Sequence, residues 1–182
     1  MKKGKLIVIS GASGVGKGTI LNIMMDKRQD LRFSVSATTR DPRPGEEDGV
    51  HYFFVTRERF EQMIEDREML EYDAHHDNLY GTPKAQLQGD KHVVLDIEPN
   101  GAFQVKRNCP EAVLIFVTPP SMEELERRLR GRGDTSEAQM KLRLERAAWE
   151  MEQGKRYDHM IINDTVENCA AQFSQIIADQ AE

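Results

Sequence analysis

A glycine-rich segment near the start of the chain has the composition and spacing of a phosphate-binding loop. It fits the pattern G-x-x-x-x-G-K and comprises Gly11, Ala12, Ser13, Gly14, Val15, Gly16, Lys17, Gly18 and Thr19. Glycines let the backbone wrap so that successive N–H groups point at phosphate oxygens, and a following helix adds partial positive charge. Lys17 can reach the β- and γ-phosphates of a nucleotide. Gly18 stands where a hydroxyl residue usually meets Mg²⁺, so we expect Thr19 or water to serve the metal.

Two arginines form a second candidate phosphate site. Arg40 and Arg43 lie three residues apart, in a loop braced by Pro42, Pro44 and Gly45. Each guanidinium can place two N–H donors on phosphate oxygens. The pair therefore predicts a site for a second phosphorylated group.

Short apolar runs predict the strands that position these residues. They are continuous rather than alternating, as in parallel strands covered on both faces, and span residues 6–9, 93–95, 113–117 and 160–162. A fifth, more polar strand is predicted at 33–37. Strands that alternate with helices indicate a layered α/β fold.

Helix signals occur between and after these runs. Ser121 with Glu124, and Ser136 with Gln139, have the spacing of capping boxes. The second of these helices should bury Met140, Leu144, Ala147, Ala148 and Met151, and the last helix Val166, Cys169, Ala170, Phe173, Ile176 and Ile177. The stretch from about 40 to 91 instead resembles a small α+β insertion, with a strand at 52–55, a helix around Phe60 and a strand at 70–72.

Composition limits the class of protein. A chain of 182 residues, 38% hydrophobic and 31% charged, suits one soluble domain. Its net charge of −6 argues against a nucleic-acid binder, although local arginines can still build a positive cleft. No stretch approaches the ~20 apolar residues of a membrane span, and no export signal is evident. The two cysteines match no metal spacing, so we expect reduced thiols in a cytoplasmic protein.

Several motifs, in order, resemble guanylate kinase over essentially the whole chain. They are Ser36-Ala37-Thr38-Thr39-Arg40-Asp41-Pro42-Arg43-Pro44-Gly45-Glu46, Asp48-Gly49-Val50-His51-Tyr52-Phe53-Phe54-Val55, Leu70-Glu71-Tyr72, Asn78-Leu79-Tyr80-Gly81-Thr82-Pro83, Leu95-Asp96-Ile97-Glu98, Arg130-Gly131-Arg132-Gly133 and Asn163-Asp164. The resemblance implies phosphorylation of GMP, and of dGMP, by ATP with Mg²⁺ through direct in-line transfer. It makes ATP and GMP the small-molecule partners, with no nucleic acid or membrane, and leaves the oligomeric state open.

The resemblance also implies an acceptor site. Arg40, Arg43, Tyr52 and Tyr80 would hold the GMP phosphate. Glu71 would accept from guanine N1–H and N2–H, Ser36 would meet O6, and Thr82 and Glu98 would complete the base site. These roles match the hydrogen-bonding pattern of guanine, and adenine presents the opposite pattern.

On the donor side the resemblance places arginines and an amide around ATP. The corresponding residues are Arg128, Arg132, Arg143 and Asn163, while Arg127 and Arg130 are expected to face solvent. Arg132 and Arg143 join Lys17 and Arg40 as candidate catalytic residues, because arginines aimed at the transferring group stabilise charge in the transition state. Asp96, at a strand end, would orient Mg²⁺ through water.

The implied architecture is a P-loop three-layer α/β fold with a central parallel sheet, an inserted α+β GMP-binding subdomain and a short lid. We expect one domain, with its core at 1–35, 92–126 and 157–182. The insertion would span 36–91 and the lid region 127–156.

The sequence departs from the family pattern in three places. Glu98 replaces the usual aspartate and is followed by Pro99 and Asn100, and the 84–90 segment is about one helical turn short. The run His75-His76-Asp77 replaces a small or acidic one, and we interpret it as a solvated strand end.

Two other functions remain open from the sequence. A related kinase could act on another acceptor such as a ribose phosphate, although Ser36, Glu71 and Thr82 together favour a base-reading site. An inactive scaffold that binds phosphopeptides could share the fold, although such scaffolds generally lack an intact Gly16-Lys17 pair.

Overall fold

Alternating strands and helices make up most of the chain. The computed structural model describes residues 4–75, 77–131 and 136–180. Within these ranges the strands are β1 (Leu6–Gly11), β2 (Leu31–Phe33), β3 (Ala37–Thr38), β4 (Phe53–Phe54), β5 (Met69–His75), β6 (Asn78–Pro83), β7 (His92–Asp96), β8 (Val113–Thr118) and β9 (His159–Ile162). The helices are α1 (Lys17–Lys27), α2 (Arg57–Glu65), α3 (Pro99–Asn108), α4 (Met122–Arg130), α5 (Glu137–Gly154) and α6 (Val166–Asp179), with a 3₁₀ helix at Lys84–Leu87.

Five of these strands form one sheet, in the order β2-β7-β1-β8-β9. The pairs β2–β7 and β8–β9 are parallel, with Leu31 beside His92 and Ile115 beside His159. The apolar runs of β1, β7 and β8 are buried as predicted, because strands covered on both faces expose neither set of side chains. The prediction was wrong for β9, the edge strand of this sheet, which buries Ile161 but exposes Met160 and Ile162. The α/β class with a central parallel sheet is therefore confirmed.

Contacts divide the chain into two compact units, and each is described separately. The first contains the described residues of 1–7 and 31–112, and the second those of 8–30 and 113–182.

The first unit also carries a four-stranded sheet, in the order β4-β3-β6-β5. Here β3 and β4 are parallel, while β6 is antiparallel to both β3 and β5. Helix α2 begins after Thr56, whose side chain accepts a hydrogen bond from the Arg59 N–H at 3.1 Å. It contributes Phe60 and Met63 to a small apolar core with Ala37 and Met69.

The strand predicted at 33–37 is divided between the two sheets. β2 ends at Phe33, and β3 begins at Ala37 in the other sheet. The Ser34 N–H still makes the β2–β7 ladder hydrogen bond, to the Val94 carbonyl at 2.9 Å, whereas the Val35 N–H donates to the side-chain Oε1 of Gln86 at 3.1 Å. The ladder with β7 therefore ends before Val35, because that N–H is satisfied by a side chain.

Helix α3, which the sequence pattern did not predict, covers the open edge of β5. It begins at Pro99, where the missing N–H costs no helical hydrogen bond. The side chain of Gln104 accepts from the Tyr72 N–H at 3.2 Å and donates to the Tyr72 carbonyl at 2.8 Å. One turn later, Asn108 donates to the Leu70 carbonyl at 2.7 Å. These two side chains occupy backbone groups that an edge strand otherwise leaves unpaired.

The second unit contains the helices whose caps the sequence predicted. The Ser121 hydroxyl accepts from the Glu124 N–H, and Ser136 and Gln139 form a reciprocal capping box. Leu125, Leu129, Met140 and Ala147 pack into one core cluster with Ala12. Ala148, expected on the buried stripe of α5, is exposed.

The last helix also matches the prediction closely. α6 begins after Thr165, whose side chain accepts from the Asn168 N–H, and it buries Cys169, Ala170, Phe173 and Ile177. Among the described helices, none has both the length and the apolar composition needed to cross a bilayer.

We expect Gln104→Ala to lower the free energy of unfolding by about 1–2 kcal/mol, because two hydrogen bonds to the β5 edge are lost. Urea unfolding provides the measurement. The matched control is Gln172→Ala at an exposed position of α6, which should change stability much less. Equal losses in the two variants would show that Gln104 does not stabilise the edge.

Candidate nucleotide-binding sites

The glycine-rich loop between β1 and α1 has the backbone that its sequence predicts. Gly14 and Gly16 have φ angles of 87° and 95°, a region that residues with a side chain rarely adopt. A methyl group on Gly16 would also lie 2.8 Å from Nδ2 of Asn163. Helix α1 begins directly afterwards at Lys17, so its unpaired N–H groups lie beside the loop.

Side chains from three segments hold this loop. Nζ of Lys17 donates to the Gly11 carbonyl at 2.8 Å. Nδ2 of the buried Asn163 donates to the Val15 carbonyl at 2.7 Å, and Arg128 donates to the Asn163 carbonyl at 3.1 Å. The loop is thus fixed to the strand before it and to the segment after β9.

A cavity of about 420 Å³ opens beside the loop. It is lined by Gly14, Gly16, Thr19, Arg127, Arg128, Gly131, Asn163, Asp164 and Val166. Gly14, Gly16, Thr19, Arg128 and Asn163 were predicted here, whereas Arg127 was expected to face solvent. The Arg127 side chain is 75% exposed but still contributes to the lining.

Glu124 anchors both of these arginines. Its carboxylate accepts from Arg127 at 2.7 Å and from Arg128 at 2.8 Å. These hydrogen bonds, that from Arg127 first, lower the pKa of Glu124 to about 2. The carboxylate therefore stays ionised and keeps two cationic side chains on one face of α4.

Two further arginines were predicted on the donor side. Arg143 is exposed on α5 and does not line it. Helix α4 ends at Arg130, and Arg132 lies outside the described residues.

A second cavity, of about 350 Å³, lies in the first unit. It is lined by Ser36, Tyr52, Glu71, Asp73, His75, Tyr80, Gly81, Asp96, Ile97, Glu98 and Gly101. Five of the eight predicted acceptor residues are among them, together with the predicted metal residue Asp96. Thr82, Arg40 and Arg43 lie outside the lining.

Glu71 is the most deeply buried acidic residue of this cavity, with 5% of its surface exposed. The antiparallel register of β5 and β6 places it opposite Thr82, whose Oγ1 donates to Oε1 of Glu71 at 2.6 Å. Burial raises the pKa of Glu71, and the hydrogen bond from Thr82 opposes that shift. A methyl group on Gly101 would lie 2.7 Å from Oε2 of Glu71, so the absence of a side chain there leaves room for the carboxylate.

Arg40 does not line the cavity but packs against Tyr52, with its guanidinium carbon 5.4 Å from the ring centroid. It makes two parallel hydrogen bonds to Glu46, at 2.8 and 2.9 Å, and the Arg43 N–H donates to the same carboxylate at 2.7 Å. These contacts, the Arg40 hydrogen bonds first, lower the pKa of Glu46 to about 2. The Arg43 residue is exposed.

Comparison with known proteins identifies the family. The family model described as "Guanylate kinase" matches residues 3–180. A guanylate kinase of Clostridioides difficile is 48% identical over 99% of this chain and 90% of its own length. A guanylate kinase of Thermus thermophilus is 46% identical over 96% of this chain and 81% of its own length. The chain belongs to the guanylate kinase family.

A solved structure of a guanylate kinase agrees with this assignment. The enzyme from Anaplasma phagocytophilum superposes with a TM-score of 0.76 and 32% identity, covering 100% of this chain and 88% of its own. The resemblance inferred from the motifs is therefore confirmed over nearly the full length.

Some cavity residues of this guanylate kinase family member were missed from the sequence. Asp73 and His75 follow Glu71 at intervals of two, so all three side chains lie on one face of β5. That alternation was readable from the sequence. Gly81, Ile97 and Gly101 carry no charged or hydrogen-bonding side chain, and only the folded chain shows that they line the site.

We expect Thr82→Val to raise the pKa of Glu71 further, because the lost hydroxyl donates to the ionised carboxylate and so favours it. A ¹³C NMR titration of glutamate side chains measures this. The control is Thr118→Val, which removes another buried hydroxyl, one that donates to the Pro119 carbonyl. A lower or unchanged Glu71 pKa in Thr82→Val would contradict the assigned hydrogen bond.

Proposed function

We propose that this member of the guanylate kinase family transfers the γ-phosphoryl group of ATP directly to GMP, forming ADP and GDP, and that it accepts dGMP as well. The observation that carries the acceptor assignment is the buried carboxylate of Glu71, which accepts a hydrogen bond from Thr82 and lines a cavity of about 350 Å³. A buried acceptor of this kind is suited to a ligand edge that presents adjacent N–H donors.

Guanine fits this acceptor better than the other bases do. Ionised Glu71 accepts from N1–H and N2–H, Ser36 meets O6, and Glu98 belongs to the same lining. Adenine would leave buried acceptors without donors, which is the kind of mismatch that discriminates most strongly. Since the glycine-rich loop would bind ATP, we assign the base-reading set to the acceptor.

The acceptor phosphate would be bound by Arg40, Arg43, Tyr52 and Tyr80. Arg40 is already held by Glu46 and faces the Tyr52 ring, so its guanidinium is oriented before a ligand arrives. Preorganised donors lose less conformational freedom on binding. Tyr52 and Tyr80 both line the cavity, with ring centroids 6.2 Å apart.

The donor phosphates would bind the glycine-rich loop. Its N–H groups, together with the start of α1, suit phosphate oxygens, and Lys17 would exchange the Gly11 carbonyl for the β- and γ-phosphates. Arg128 and Asn163 line the adjoining cavity. We retain Arg132 and Arg143 as candidate catalytic residues that stabilise charge on the transferring group.

We propose Mg²⁺ as the cofactor, with Thr19 and, through water, Asp96 as its protein contacts. Both residues offer hard oxygen donors, which Mg²⁺ prefers. In the part of the chain that the structure describes, no group of three or more His, Cys, Asp or Glu residues could hold a metal. This fits an ion bound mainly by phosphates and water, where it neutralises charge during transfer.

Several further expectations belong to this proposal. Transfer is direct, because positioning and charge neutralisation suffice for phosphoryl transfer and no Cys or His nucleophile lies in the matched motifs.

The functional division is a core at 1–35, 92–126 and 157–182, a GMP-binding insertion at 36–91 and a lid at 127–156. The enzyme acts in the cytoplasm, without nucleic-acid or membrane partners.

An ADP-release assay across acceptors tests the function. With GMP, dGMP, AMP, CMP, UMP and a ribose phosphate, we expect GMP and dGMP to exceed the others in kcat/KM by on the order of 10²-fold or more. Lys17→Met should abolish most activity while the melting temperature stays near that of the wild type. Preference for a ribose phosphate, or near-normal turnover of Lys17→Met, would refute the acceptor or the donor assignment respectively.

We expect Gly101→Ala to raise the KM for GMP by about tenfold, since its new methyl group would displace Oε2 of Glu71 and disturb a buried hydrogen-bond acceptor worth about 1–3 kcal/mol. Steady-state kinetics measure the change. The KM for ATP serves as the internal control and should stay within about twofold of the wild-type value. A matching rise in the KM for ATP would point to general damage instead.

A further inference from the structure

His75 stands between two carboxylates at the rim of the acceptor cavity. Its Nε2 lies 3.4 Å from Oε2 of Glu98 and 3.9 Å from Oδ2 of Asp73. Asp73 is itself held from α3, because Nδ2 of Asn100 donates to Oδ2 of Asp73 at 3.3 Å. The nearer and more exposed partner of the histidine is therefore Glu98.

The backbone fixes the direction of the His75 side chain. His75 is the last residue of β5 and points to the same face as Glu71 and Asp73, because side chains alternate along a strand. The ring of Tyr80, on β6, packs edge-on against the imidazole with centroids 6.2 Å apart. His75 ends β5 as expected, but it is half-buried in the cavity lining rather than solvated, and His76 lies outside the described residues.

Glu98, which the proposed function assigns to the base site, is a partly exposed carboxylate. It is the residue before α3, and its side chain makes no capping hydrogen bond to that helix. Its side chain is 48% exposed. A long, exposed carboxylate has several rotamers, and ordering it on ligand binding costs conformational entropy.

We propose that His75 is a positioning residue that holds the Glu98 carboxylate against the guanine edge, so that recognition of the exocyclic N2 amine depends on this pair. The contact of the imidazole with the Glu98 carboxylate, with Nε2 3.4 Å from Oε2, restricts Glu98 before the ligand binds, which reduces the ordering cost. The inference rests on the proposed function, because it assigns Glu98 to the base of GMP.

Other charged groups near His75 bear on this assignment. The ionisable residues that face it or share the cavity are Asp73 on β5, Tyr80 on β6, Glu98 before α3, and Tyr52, Glu71 and Asp96 in the same lining. All of them are acidic or neutral, so the imidazole is the basic side chain among the described residues of this lining. It is therefore suited to hold a carboxylate in place.

The test compares GMP with inosine monophosphate, which lacks the N2 amine. Replacing His75 by leucine removes the N–H donor, and we expect the KM for GMP to rise about fivefold with kcat changed less than twofold. The KM for inosine monophosphate should rise much less.

His75→Gln, whose amide nitrogen reaches about as far as Nε2, should recover most of the preference for GMP. His159→Leu, a substitution on β9 outside this cavity, is the matched control for the change of residue type.

A double-mutant cycle with Glu98→Gln separates positioning from direct contact. If His75 acts through Glu98, adding His75→Leu to Glu98→Gln should change the GMP-to-inosine monophosphate ratio less than twofold. An unchanged ratio in the single His75→Leu variant would overturn the proposal. An equal loss with GMP and with inosine monophosphate would also overturn it, because that result indicates a structural role. The same holds if His75→Leu still changes the ratio in the Glu98→Gln background, because that result indicates direct contact of His75 with the base.

These outcomes differ from failure of the proposed function. If the wild-type chain does not release ADP with GMP, the function itself is wrong and the variants carry no information about it. If the wild type phosphorylates GMP but the variants fail these criteria, only the role of His75 is wrong. Melting curves of each variant confirm that the compared proteins are folded.

Discussion

The buried carboxylate of Glu71 is the constraint on which the acceptor cavity depends. A carboxylate removed from water is unfavourable unless hydrogen-bond donors compensate for it, and burial accordingly raises the pKa of Glu71. One donor is the hydroxyl of Thr82, delivered across the strand pair by the register of β5 and β6. The remaining acceptor capacity faces a cavity, and Gly101 leaves the space it needs. The strand register thus decides the surroundings of Glu71, since a shift in that register would move Thr82 away from the carboxylate.

The arginine side chains near the two cavities are likewise held by hydrogen-bonding partners, in this case carboxylates of opposite charge. The chain carries a net charge of −6, yet Arg40, Arg127 and Arg128 are each held by a glutamate that stays ionised. With pKa values of about 2, the carboxylates of Glu46 and Glu124 stay ionised over the physiological pH range. Pairing restricts the guanidinium groups. It also leaves further N–H groups for an anion, because each arginine side chain has five N–H donors. An acidic protein can therefore present localised cationic sites for nucleotide phosphates.

Local patterns predicted some elements well and others not at all. The runs that became β1, β7 and β8 were evident because buried parallel strands are continuously apolar, and α4, α5 and α6 were evident from their caps and stripes. The apolar run of β9 also marked a strand, although Met160 and Ile162 in it are exposed. β6 and α3 were missed. β6 contains Gly81 and ends at Pro83, residues that disfavour strands, and it is formed through pairing with β3 and β5. α3 begins on a proline and has few apolar residues, and side chains such as Gln104 fix it to the β5 edge.

The sequence by itself determined the chemistry that the chain can offer: the glycine-rich loop ahead of a helix, the paired arginines, and the ordered motifs of the guanylate kinase family. Those features depend on residue type and short spacing, which a linear pattern records. Only the tertiary structure decided which side chains share a cavity. Glu71 accepts a hydrogen bond from Thr82, eleven residues later in the chain, and lies close to Gly101, thirty residues later. His75 likewise contacts Glu98, which is also distant in the sequence. Such neighbours are brought together by strand register and by the packing of α3 on β5, which no local sequence pattern specifies.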